Sequence, residues 1–181
     1  MGAGTWESHH AITTLMFRYA ECVDSADFDG IAALFAHGRI TNEGVEGAIE
    51  GPDAVRKLYQ RTNRVHDDGT TRTRHINANP MVDIDDTAGR ASARSVFVVF
   101  QQTAALPLQP IVSGRYRDTF TRSGGEWRFD TRHIVVEHVG DTRAPDVRPL
   151  RLRGRALRHC GWPVHTACSS STTPGRAGPR R

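Results

Sequence analysis

The residues able to move protons here are one histidine, His75, three carboxylates, Asp24, Glu43 and Asp118, and two phenols, Tyr19 and Tyr116. An imidazole titrates near neutrality. A carboxylate beside it orients the ring and stabilises its cation, so such a pair in an enclosed pocket suits general acid–base chemistry. Asp118 occurs in Val112, Gly114, Tyr116, Asp118, Phe120, every second residue of a β-rich run, so strand alternation sets it on one mostly apolar face. A carboxylate there must be paired or have its pKa shifted. Each group also has a plainer role open to it. Asp24 can terminate a helix. Asp118 can pair with Arg115 or Arg132. Glu43 can be exposed, His75 can be a hydrogen-bonded wall residue, and Tyr19 can be a satisfied core tyrosine. No nucleotide-binding glycine loop, nucleophile elbow or zinc-protease helix occurs, and His133 and His138 are read on opposite strand faces, so neither metal nor cofactor is expected.

The elements that must position these groups follow from periodicity. Ile12, Leu15, Met16, Tyr19, Cys22 and Val23 recur at helical spacing over 7–23, with Ser8 as N-cap. Asp27 caps a short second helix, 28–35. Two short strands around a glycine turn follow over 38–50, and Gly51-Pro52-Asp53 opens a third helix. Residues 61–71 read as a loop. The strand 74–85 carries His75, Asn77 and Asn79 on one face before Pro80, which predicts a bulge or an edge. Residues 91–102 form a long strand and 103–110 a link. Residues 111–136 form a hairpin around Ser123-Gly124-Gly125. Helices first and long strands after predict an α+β fold: a cone-shaped barrel of curved mixed or antiparallel sheet, helices packed on one face, enclosing a small-molecule pocket.

Composition divides the chain at 142. Residues 142–181 hold nine arginines and one acid, leaving 15 basic and 19 acidic residues in 1–141. The high pI therefore belongs to the tail, which reads as basic and disordered, and the mildly acidic domain is not expected to bind specific nucleic acid. Within the tail, His159, Cys160, His165 and Cys168 have zinc-ligand types but not a standard zinc spacing. No apolar run approaches the ~20 residues of a membrane span. No secretory signal pattern opens the chain, and three cysteines make no disulfide framework; the expectation is a cytoplasmic protein.

Residues 7–141 resemble the SnoaL-like branch of the nuclear transport factor 2-like superfamily. The resemblance is carried by Arg-Tyr-Ala-Glu-Cys-Val-Asp-Ser-Ala-Asp-Phe-Asp-Gly-Ile-Ala-Ala-Leu-Phe (18–35), Gly-Pro-Asp-Ala-Val-Arg (51–56), Thr-Arg-His-Ile (73–76) and Gly-Arg-Tyr-Arg-Asp with Glu-Trp-Arg-Phe (114–129). By resemblance to scytalone dehydratase, Asp24 and His75 match an Asp–His acid–base pair. Val23 stands where that enzyme has a tyrosine, and Phe100 stands near its second histidine. By resemblance to ketosteroid isomerase, Tyr19 and Asp118 match an oxyanion hole, Asp118 protonated in its apolar setting, and Glu43 replaces the base. The resemblance thus implies a lyase or isomerase acting on a hydrophobic, oxygenated, polyketide- or steroid-like molecule. His75, Asp24, Asp118 and Tyr19 would be catalytic, and Glu43, Tyr116, Phe100 and Asn77 would line the substrate. It also implies a homodimer. A non-catalytic binding protein, or a partner subunit like the small subunit of ring-hydroxylating dioxygenases, is the alternative.

Overall fold

A computed structural model describes residues 5–141. Helix α1 (Trp6–Asp24) is followed by α2 (Phe28–Leu34), β1 (Arg39–Asn42), β2 (Ile49–Glu50) and α3 (Pro52–Thr62). Four long strands complete the fold: β3 (Thr73–Asp85), β4 (Arg90–Thr103), β5 (Leu106–Ser123) and β6 (Glu126–Val139). They form one six-stranded sheet in the order β2-β1-β6-β5-β4-β3. All pairs are antiparallel except β1 with β6, so the sheet is mixed. It does not close into a barrel, and β3 is left as an edge.

Local chemistry explains the boundaries. Thr5, not Ser8, is the N-cap of α1: its side chain accepts from the Ser8 N–H, and Ser8 is buried inside the first turn. Asp27 caps α2 through the Gly30 N–H. Gly51 precedes α3 with φ of 80°, and Pro52 takes the first helical position. Gly124 and Gly125 have φ of 60° and 85°, the left-handed pair a tight hairpin turn requires. The bulge foreseen at Asn79-Pro80 lies between Ala78 and Met81, with Asn79 at φ 52°. The link expected over 103–110 is shorter than predicted. The chain turns at Ala104-Ala105 and β5 begins at Leu106; both prolines after it lie at exposed positions, and a bulge beside Pro110 absorbs the irregularity.

The core lies between the helices and one face of the sheet. Ile12, Met16 and Tyr19 of α1, Ile31 of α2 and Val55 of α3 meet Phe97, Tyr116, Phe120 and Phe129, all nearly or fully buried. Each such apolar side chain contributes about 1.5–3 kcal/mol on burial. Gly114 is required here: a Cβ would overlap the Val135 carbonyl oxygen and meet the Phe97 ring at 3.0 Å. Its absence lets Phe97 stack on Tyr116, with ring centroids 4.4 Å apart.

Candidate active site

Asp24 is the last residue of α1, and His75 is near the start of β3, which packs beside that helix. His75 Nδ1 lies 2.6 Å from Asp24 Oδ1, and the His75 backbone N–H donates to Asp24 Oδ2 at 2.8 Å. The Thr73 hydroxyl donates to Asp24 Oδ1 at 2.7 Å. Burial pushes the Asp24 carboxyl up, but the hydrogen bonds and charge of His75 and the Thr73 hydroxyl outweigh it and hold it below its ordinary value. Asp24 is therefore an acceptor, and His75 Nδ1 carries the proton between them. The other ring nitrogen, Nε2, is then the unprotonated one.

An open groove of about 1540 Å³ runs along the β3 edge. Asp24, His75 and Asn77 line it, with Phe17 and Arg18 of α1, Phe100 of β4 and Leu108 of β5. Its volume exceeds the ~300–1,000 Å³ usual for a small-molecule pocket. Asn77 shares a face with His75, and its amide donates to the Met16 carbonyl at 3.1 Å. Phe100 reaches the groove from the other face: it pairs with Arg74, whereas His75 pairs with Val99. It is therefore not in the position of a second histidine facing His75.

The remaining expected site residues are elsewhere. Tyr19, Tyr116 and Asp118 lie in the core around Arg132, which is wholly buried. Arg132 donates to both oxygens of Asp118, at 3.0 and 2.7 Å, so the ion-pair alternative is the one realised. Its guanidinium lies 4.1 Å from the Tyr19 ring centre and 4.2 Å from that of Tyr116. Burial alone would lower the Arg132 pKa; the charge and hydrogen bonds of Asp118 outweigh this and raise it. Burial raises the Tyr19 and Tyr116 phenols, and Tyr19 shares a 2.5 Å hydrogen bond with the Tyr59 hydroxyl. The oxyanion hole expected of Tyr19 and Asp118 is thus not assembled: both Asp118 oxygens accept from Arg132, and a protonated Asp118 has no role in that geometry. Tyr116 likewise packs in the core and does not line the groove. Glu43 is also displaced from the expected pocket. It lies just beyond β1 at the opposite side of the sheet, exposed, 3.0 Å from His133 Nε2.

Sequence reasoning passed over Thr71 and Thr73. Thr73 falls two residues before His75 on the same face, and that spacing was the available signal. The zinc-type residues and the basic tail lie outside the described residues.

Residues 4–133 match the model of the SnoaL-like domain. The chain belongs to that family. This SnoaL-like chain is similar to a variant of Rv3472, a protein of unknown function from Mycobacterium tuberculosis, at 26% identity and a TM-score of 0.61, over 74% of each chain. It is similar to a candidate scytalone dehydratase from Novosphingobium aromaticivorans at 25% identity and a TM-score of 0.60, over 83% of this chain and 95% of that one. ActVI-ORFA from Streptomyces coelicolor shares the fold at 20% identity and a TM-score of 0.60, over 74% of this chain and 99% of that one. No curated protein matches the sequence. No helix of the described residues is long and apolar enough to cross a membrane.

Proposed function

We propose that this SnoaL-like protein is an acid–base enzyme that removes water from a small, hydrophobic, hydroxylated ring ketone of the polyketide type. The observation that carries the reading is the Asp24–His75 pair at the wall of an open groove, with His75 Nε2 free of any partner among the described residues. Nε2 takes a proton from the carbon beside the ketone. The C–H electrons form the new C=C bond as the C–O bond to the hydroxyl breaks, and the imidazolium returns the proton to the departing oxygen, releasing water. Asp24 stabilises the intervening cation. Phe17 supplies apolar surface for the ring. Isomerisation with Tyr19 and Asp118 as oxyanion donors is disfavoured because Tyr59 and Arg132 already engage them.

A second reading, a binding protein without turnover, is favoured by one observation: among the described residues lining the groove, His75 is the only histidine. Mass spectrometry of hydroxylated cyclic ketones incubated with the full chain separates the two. Loss of one water from a ketone with wild type and not with His75→Ala supports the enzyme. A ligand bound equally by both proteins and never altered supports the binding protein.

A further inference from the structure

Behind Asp24 lie two buried hydroxyls, Thr71 at 2% exposure and Thr73 at 7%. Their oxygens are 2.6 Å apart. A hydroxyl has one proton to give. The Thr73 proton is committed to Asp24 Oδ1, at 2.7 Å. The Thr71 hydroxyl also lies 3.1 Å from each of the Val23 and Asp24 carbonyl oxygens, which can only accept, so it is the Thr73-to-Asp24 bond alone that has a fixed direction. The Thr71 backbone N–H also donates to the Asp24 carbonyl, at 3.3 Å, tying this loop to the end of α1.

Asp24 needs such support. It ends α1, where the helix dipole is negative and no basic residue lies in the last turn. Donors reach both of its oxygens, which fixes the carboxyl plane. With Thr73 absent, Oδ1 would keep only the imidazole as donor, and the carboxyl plane would be held by His75 alone, through its ring and its backbone N–H.

We propose that Thr73 is a positioning residue that fixes the Nδ1–H tautomer of His75 and so keeps Nε2 unprotonated towards the groove. The catalytic meaning rests on the reading of His75 as the acid–base residue; the tautomer does not, because it can be read without substrate. The Nδ1–H form is the minor tautomer of a free histidine side chain in water, so its dominance here would be the signature of the Asp24 bond.

The test is long-range ¹⁵N–¹H NMR of the imidazoles in the full chain at alkaline pH, with His75 assigned by its loss in His75→Gln. The expected result is a predominantly Nδ1–H His75 in wild type and in Thr73→Ser, and a mixture of both tautomers in Thr73→Val. An Nε2–H wild type, or a Thr73→Val protein that keeps the wild-type tautomer, overturns the proposal. So does a Thr73→Ser protein as disturbed as Thr73→Val, since a retained hydroxyl should rescue. If Thr73→Val fails to fold, Thr73→Ala is read in its place: a reduced Nδ1–H share supports the proposal, and an unchanged share overturns it. With a turned-over ketone in hand, Thr73→Val lowers kcat with KM unchanged. Absence of turnover with an intact tautomer defeats the enzyme reading alone.

Discussion

His75 meets both oxygens of one carboxylate: its ring nitrogen Nδ1 lies 2.6 Å from Asp24 Oδ1, and its own backbone N–H lies 2.8 Å from Asp24 Oδ2. Ring and backbone are thus registered on the same anchor. The pair joins the last residue of a helix to an edge strand, so the helix–sheet contact and the acid–base geometry are one feature.

Asp24→Asn should lower turnover strongly while leaving the fold intact. An amide can present its NH₂ to the ring and favour the wrong tautomer, placing the proton on Nε2. That disables His75 as the general base, a group that typically contributes about 10²–10⁴-fold in rate. Steady-state kinetics on a dehydrated ketone check this, and circular dichroism checks that the variant is folded.

The depressed pKa of Asp24 makes stability depend on acid. A carboxyl held below its unfolded value of about 3.9 contributes stability above that pH, and the contribution is lost as pH falls through the folded value. Urea unfolding of wild type and Asp24→Asn between pH 3 and 7, roughly the range bracketing that transition, should show wild type more stable near neutrality. The gap should narrow as the pH drops below about 4.

Much of this arrangement was legible from sequence, for physical reasons. Alternation over 112–120 placed Tyr116 and Asp118 inward, and the helical stripe placed Tyr19 inward, as the burial of all three shows. The partner of Asp118 was harder to fix. A two-residue turn at Gly124-Gly125 would by itself set Thr131 opposite Asp118. One extra residue, Asp130, at the bulge after Phe129 moves Arg132 there instead. Nothing local in the sequence announces that insertion. Glu43 was unreadable for a similar reason: its place beside His133 depends on β1 joining β6 in parallel, a long-range pairing.

Asp118 and Arg132 should prove structural. Removing one partner leaves the other charged and buried, so Asp118→Leu or Arg132→Leu should each cost about 3–5 kcal/mol. The double variant should lose less than the sum of the two, because no unpaired charge remains. Chemical denaturation of the three proteins measures this. Tyr19→Phe, which removes a hydroxyl bonded to Tyr59, should cost about 1 kcal/mol and leave kcat unchanged.

Gly114→Ala tests the packing on the core face of the sheet. The added methyl overlaps the Val135 carbonyl oxygen and presses on Phe97, so backbone or ring must move. A loss of about 1–3 kcal/mol is expected, with a disturbed Phe97–Tyr116 stack seen as broadened aromatic signals by NMR.

Deuterium exchange reads whether His75 moves a proton on carbon. A β-hydroxy cyclic ketone such as 3-hydroxy-1-tetralone, incubated in D₂O with the full chain, should gain deuterium beside its carbonyl or lose water at a rate well above that without protein. His75→Ala should return the rate to that background. Equal exchange by wild type and His75→Ala would contradict the account, because the proton would then be moved by something other than the Asp24–His75 pair.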